Sequence, residues 1–292
     1  MDAVFFAQLL FNGLAIGLIY ALIAVGLALV YGVLRIVNFA HGEFLMLGAY
    51  AMALVTPVLG LLYLPSLAVA MAITALLGVV MFELLFARLK ETDFERSILV
   101  TTGLSIILLH GVQWIFSASG RMVDTEFGFA GVEIGDIRIT ATRLAAGVVA
   151  LGAFLALWLI LTRTQFGRAM RAISQNREAA LMVGIPPRKV ARNAMMLACG
   201  LCGLAGAALA PVYLVQPIMG QALLFKAFAL VIIGGLGHLQ GAAIAAVILG
   251  VVESLAGGFL TIVWQEAIVF VAMILVLLLR PQGLFATRIR VG

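Results

Sequence analysis

The chain has 292 residues, of which 64% are apolar and 11% charged, with a mean hydropathy of +1.21, a formal net charge of +5 and a pI near 9.6. A soluble domain lies at roughly 45–50% apolar and about 25% charged, so the composition excludes that class and requires a polytopic membrane protein. The basic residues are scattered in short segments between apolar runs, which argues against a nucleic-acid surface and makes them markers of topology.

A hydrocarbon core about 30 Å thick needs roughly 20 apolar residues at 1.5 Å rise. This predicts spans near 5–33, 43–62, 65–87, 97–117, 143–162, 192–213 and 263–280. The first begins "MDAVFFAQLLFNG", which lacks the charged n-region and small-residue cleavage site of a signal peptide and reads as a retained span. Between 223 and 258 the first apolar piece is short and ends in Gly234, Gly235 and Gly237. A half-length or broken helix followed by a full span is expected there. The predicted fold is an all-α polytopic membrane protein of about eight transmembrane helices plus one short or broken helix, forming a single membrane domain over 1–292.

Lys and Arg in short loops set the orientation. Arg88, Lys90 and Arg96 flank one loop; Arg163, Arg168, Arg171, Arg177, Arg188, Lys189 and Arg192 fill another; Arg280, Arg288 and Arg290 follow the last span. These regions are predicted to be cytoplasmic. The loop 118–142 sets Arg121 and Arg138 against Asp124, Glu126, Glu133 and Asp136 and faces outward, either as a small hairpin or as an ordinary solvated loop. The N-terminus is then outside and the C-terminus inside, provided that 223–258 starts and ends outside.

Ionisable groups inside a bilayer are expensive and mark cavities or partners. "LRIVNFAHGEFLMLGAY" (34–50) brings Arg35, Asn38, His41 and Glu43 close together, with Gly42 as a point where the backbone can break. Two readings stay open: a discontinuous helix bordering a substrate pathway, or a cytoplasmic turn between two spans. "GGLGHLQGAAIAAVILG" repeats the pattern with Gly234, Gly235, Gly237 and His238, hinting at an internal repeat, with His238 as a hydrogen-bonded structural residue or a pathway element. Glu83, Glu253 and Glu266 fall near span ends, where interfacial solvation is expected. Cys199 and Cys202 stand among Gly and Ala without further ligands and read as close-packing residues, not as a metal or redox pair. No zinc-protease, nucleophile-elbow or P-loop motif occurs. No catalytic residue, cofactor or metal is therefore expected, and any ATP-driven engine must come from other chains.

The segment 163–191 is too long and basic for a connector. Within "AISQNREAALMVGIPPRKVARN" (172–193), Asn176 suits an N-cap and Glu178 suits the positive end of the helix dipole. Gly184 suits a left-handed C-terminal position, with Pro186 and Pro187 behind it. The spacing predicts a helix of roughly two turns, about 10 Å long, presenting Ala179, Ala180, Leu181 and Val183 to a partner. An interfacial helix lying on the membrane is the alternative.

"RAISQNREAALMVGI" resembles the EAA loop of ABC-importer permeases, the coupling helix that inserts into the ATPase subunit. Glu178, Ala179, Ala180 and Gly184 match its motif, and Arg171, Asn176, Arg177 and Ile185 flank them. "GLIYALIAVGLALVYGVLRIVNFAHGEFLMLGAY", "GGLGHLQGAAIAAVILG" and "LLRPQGLF" are similar to the branched-chain amino acid permeases of LivH type, a likeness covering most of the chain outside 118–142. His238-Leu239-Gln240 and Asn176-Arg177 depart from the family pattern. The resemblance implies a bacterial inner-membrane permease subunit with two cytoplasmic ATPase subunits, a LivM-type partner permease and a soluble receptor on the outer face. The implied cargo is a branched-chain or related amino acid, or else urea, a short amide or an aromatic acid. An ion-coupled transporter using Glu43 and His41 as a proton relay, and a passive channel, are the rival classes.

Overall fold

The computed structural model describes residues 3–60, 62–89, 94–127, 130–134 and 137–285. Helices dominate because a backbone in hydrocarbon must satisfy its own polar groups. In chain order they are α1 (Ala3–Leu34), α2 (His41–Leu59), α3 (Tyr63–Leu84, followed by a 3₁₀ turn at Phe86–Arg88) and α4 (Phe94–Phe116). Strands β1 (Gly131–Ile134) and β2 (Ile137–Thr140) come next, then α5 (Ala141–Arg163), α6 (Gln165–Gln175), α7 (Arg177–Met182), α8 (Pro187–Leu209), α9 (Met219–Gly234), α10 (Leu239–Phe259) and α11 (Ile262–Leu279). Among the described residues, six helices are long and apolar enough to cross a membrane: α1, α3, α4, α5, α8 and α10. The apolar stretches in α9 and α11 are shorter.

Lipid is as apolar as leucine, so small residues that let backbones approach bring these helices together. α1 lies at the centre and packs on α10, α8, α5 and α9. Gly13 and Gly17 of α1 nest on Val247, Gly250 and Val251 of α10. On the other side, α2 and α3 meet α8 through Gly48, Gly203 and Gly206; a methyl on Gly206 would overlap the Leu45 carbonyl, and one on Gly203 would overlap Thr74. Cys199 sits under Gly78, and Cys202 donates to the His41 carbonyl at 3.2 Å. Both thiols are free and fully buried, as packing residues are.

The tract 223–258 resolves into a 16-residue α9 and a 21-residue α10. Their junction turns at Gly235 (φ 100°) and Gly237 (φ 77°), a left-handed geometry that glycine adopts without steric cost. The outer loop forms the β1–β2 hairpin, with Val132 opposite Ile139. The loop is tied down where Arg121 bridges to Val215 and where Glu126 accepts from the Tyr63 amide at 2.9 Å. Lys90, Asp136, Arg288 and Arg290 lie outside the described residues.

Three expectations need correction. Gly42 is not the point of the break: it lies in the first turn of α2, where a methyl would overlap the Gly220 carbonyl, and it is Arg35 that takes the left-handed φ of 53°. Glu253 is not interfacial but buried, at 3% exposure, because Lys226 reaches it from the neighbouring helix. The segment 163–191 holds two helices, since Thr164 caps α6 by accepting from the Gly167 amide. Gly167, Met170 and Ile173 form the buried stripe that keeps α6 against the body.

Candidate functional site

The first polar region is the join between α1 and α2. His41 hydrogen-bonds through Nε2 to the Ile23 carbonyl at 3.2 Å. Ile23 lies about 16 Å along α1 from its end at Leu34, at 1.5 Å per residue. Ser105 donates to Glu43 Oε1 at 2.8 Å, and Ser105 is likewise about 16 Å along α4 from Phe94. The chain therefore climbs back along α1 after Leu34, and α2 begins halfway through the bundle. Asn38 makes the turn by accepting the Ala40 amide on Oδ1 at 3.0 Å, and Thr101 holds the Val37 carbonyl at 3.4 Å. The helical backbone is thus interrupted between Leu34 and His41, within reach of the middle of α4.

Asn38, His41 and Glu43 each have no exposed area. Asn38 Nδ2, His41 Nδ1 and Glu43 Oε2 have no hydrogen-bond partner among the described residues. Gly42 packs on Gly220, so the first turns of α2 and α9 meet here. Helix N-termini carry partial positive charge, and Glu43 lies in the first turn of α2.

The second region is the arm formed by α6 and α7. Asn176 Oδ1 accepts the Ala179 amide at 2.9 Å, which is the predicted N-cap. Gly184 has φ 82°; its amide bonds to the Leu181 carbonyl and the Ile185 amide to the Ala180 carbonyl, both at 3.0 Å. This pair of bonds is the Schellman closure that a C′ glycine allows. The six-residue helix thus has both ends satisfied. Ala180 faces inward at 3% exposure, whereas Leu181, Met182 and Val183 are exposed at 60%, 88% and 75%. The predicted presenting face is corrected accordingly: Ala180 leaves it and Met182 joins it. Glu178, Arg171 and Arg177 are exposed, and Arg171 turns back to donate to the Leu161 carbonyl of α5. Arg188 and Arg192 at the start of α8 pair with Glu83 at the end of α3.

At the second glycine break, His238 caps α10 by accepting the Gly241 amide on Nδ1 at 3.0 Å. Gly234 lies so close to Gly241 and Ala242 that a methyl on it would overlap both.

Residues 9–278 match a family model described as branched-chain amino acid transport system / permease component. The chain belongs to this family. The permease is 28% identical over 293 residues to the high-affinity branched-chain amino acid transport system permease protein LivH of Escherichia coli K12, covering 96% of this chain and 95% of that protein. It is 27% identical over 292 residues to BraD, the corresponding permease protein of Pseudomonas aeruginosa, with the same coverage of 96% and 95%. Against the Escherichia coli permease protein LivM the identity is 27% over 294 residues, covering 91% of this chain and 68% of LivM. No solved structure matches the chain.

Two features of the permease escaped sequence reasoning. Lys226 of α9 lies 2.6 Å from Glu253 Oε1 of α10 and 3.4 Å from the Tyr20 hydroxyl of α1, which itself donates to Glu253 at 3.3 Å. The signal was present: a lone lysine in an apolar tract needs a partner, and Glu253 stands in the next apolar run. The segment after α11 folds back beneath the α9–α10 junction, where the Leu284 amide bonds to the Ile233 carbonyl at 2.8 Å and Gly283 (φ 90°) packs on Gly235. "RPQGLF" was legible only as a resemblance, because its packing partner is distant in sequence.

Proposed function

We propose that the permease is one transmembrane subunit of an ATP-binding cassette importer that moves branched-chain or related amino acids across the bacterial inner membrane. In this reading the 35–40 segment together with α2, and α11, cross the bilayer along with the six longer helices, giving eight spans with α9 as the half-length element, all in one domain. The 163–191 face is cytoplasmic. Two ATPase subunits dock there, a LivM-type permease completes the pathway, and a soluble receptor delivers cargo to the outer face. The cargo class rests on the printed names of the relatives, and urea, short amides and aromatic acids are the alternative cargoes.

The observation that carries this reading is α7, a short helix with both ends closed and its apolar tip standing in solvent. A helix of six residues is marginal in water without packing, so the exposed Leu181, Met182 and Val183 call for a partner groove. We assign ATPase coupling to Arg171, Asn176, Arg177, Glu178, Ala179, Gly184 and Ile185, with the buried Ala180 seating α7 on the arm from within. Closure of the ATPases would move α6 and α7, and through Gly167 and Met170 the helices beneath them. Asn38, His41, Gly42 and Glu43, with Gly234, Gly235, Gly237 and His238, form the two breaks that border the pathway; enclosed as Asn38, His41 and Glu43 are, they act by fixing where α2 begins.

Glu178→Arg is expected to leave insertion and helix content unchanged while abolishing co-purification of the ATPase subunits and ATP-dependent uptake in proteoliposomes. Undiminished uptake would remove the docking assignment. A proton-coupled carrier using Glu43 and His41 predicts the opposite pattern, namely gradient-driven accumulation by the chain with no ATPase present.

A further inference from the structure

A crevice of about 370 Å³ opens where α1, α5, α6 and the start of α10 meet. Its walls are apolar, built by Val25, Leu29, Leu157, Trp158 and Leu161. Its polar lining is supplied by Thr162, Arg171, Ser174, His238 and Gln240, and none of its lining residues is acidic. Arg171 donates to the Leu161 carbonyl, which leaves the other N–H groups of its fork for a ligand. Arg35 reaches the Ser174 carbonyl at 3.4 Å and adds a second guanidinium to the rim. His238 accepts the Gly241 amide on Nδ1, so its proton sits on Nε2 as a further donor.

Position along the helices sets the solvent this crevice meets. Trp158 is about 7.5 Å from the end of α5 at Arg163, the depth at which aromatic side chains anchor to a membrane interface. Trp158 is half exposed, and Leu151, Leu155 and Leu159 on the same helix are exposed. The apolar walls therefore lie at acyl-chain level and the two guanidiniums at headgroup level. We propose that the crevice is a binding site for an anionic phospholipid of the leaflet on the α6–α7 side, its acyl chain against Leu157, Trp158 and Leu161 and its phosphate on Arg171. A zwitterionic lipid offers the same phosphate but adds a cation that two guanidiniums repel and no lining carboxylate accepts. Because α6 forms one wall and Gly237 and His238 another, the lipid bridges the arm to the α9–α10 break.

The protein has three tryptophans, at 114, 158 and 264. The full-length Trp114→Phe/Trp264→Phe variant in nanodiscs isolates Trp158 as the fluorophore. Brominated phosphatidylglycerol is expected to quench Trp158 at a mole fraction at least three-fold lower than brominated phosphatidylcholine. Adding Ala243→Phe, which fills the crevice and leaves Arg171 in place, is expected to erase that preference, as is adding Arg171→Gln; circular dichroism checks that each is folded. Equal quenching by the two lipids, or a preference that survives Ala243→Phe, would overturn the proposal. So would shielding of Trp158 from both lipids, which would mean that protein covers the crevice.

Discussion

The α1–α2 break and the α6–α7 arm are both polar interruptions of an apolar chain, yet the fold sends them to opposite environments. Asn38, His41 and Glu43 disappear into the bundle, while Glu178 and the Leu181–Met182–Val183 tip stand in solvent. Hydrogen bonding explains the difference. The break faces four helices that supply partners: the Ile23 carbonyl from α1, Ser105 and Thr101 from α4, Cys202 from α8, and Gly220 as a small neighbour from α9. The arm caps the ends of α7 internally, by Asn176 at one end and Gly184 at the other, and rests on the body through the buried stripe of α6 and through Ala180. A polar segment that borrows its partners is locked in place; one that supplies its own is free to be taken by another protein.

Disturbing the locked region is expected to give the largest effects. Gly42→Leu drives a side chain into the Gly220 carbonyl and the Leu224 side chain, and it is expected to eliminate the monodisperse permease peak on size exclusion in detergent. Gly111→Leu is the control, since nothing lies within 4 Å of a methyl there, and it is expected to elute as the parent does. A smaller loss is expected at the Lys226–Glu253 pair, whose side chains are 14% and 4% exposed. Lys226→Met leaves a buried carboxylate without its cation, a change worth on the order of 3–5 kcal/mol, and should lower the thermal midpoint sharply. The double variant Lys226→Met/Glu253→Met removes both charges and is expected to recover most of that loss. If single and double variants melt together, the pair contributes nothing.

The same contrast decides what the sequence could disclose. Helix existence follows from apolar run lengths, and the break at Gly235 follows from local glycines, so both were legible. Of the arm, α7 was legible nearly to the residue because capping is local chemistry, with Asn176 and Gly184 acting within three or four positions of themselves, whereas α6 was not expected. The depth of α2 was not, since it depends on His41 reaching Ile23 across a reversal of the chain and on Ser105, 62 positions away from Glu43. Lys226 and Glu253 escaped for the same reason, each reading alone as an isolated charge. The sequence reveals which segments are polar, and the partners, which are non-local, decide whether those segments are enclosed or presented.

The arm should respond weakly in stability and strongly in coupling, which sharpens the comparison from the other side. Asn176→Ala removes one N-cap bond, worth about 1 kcal/mol. Because α7 is closed within itself, that loss should stay local. Exchange of the Ala179 amide with deuterium is expected to rise about five-fold while the global melting point hardly moves; a global shift as large as that of Lys226→Met would mean that the arm is part of the core. The smallest effect is expected at Arg188→Ala. Its pairing with Glu83 lies in solvent, with the Arg188 side chain 71% exposed, and exposed ion pairs contribute about 0–1 kcal/mol. Arg192 approaches the same carboxylate at 3.9 Å and keeps it partnered. The melting point of Arg188→Ala should therefore match the parent, and any loss of ATPase association in that variant would assign Arg188 to the docking surface, because the fold beneath it does not depend on the pair.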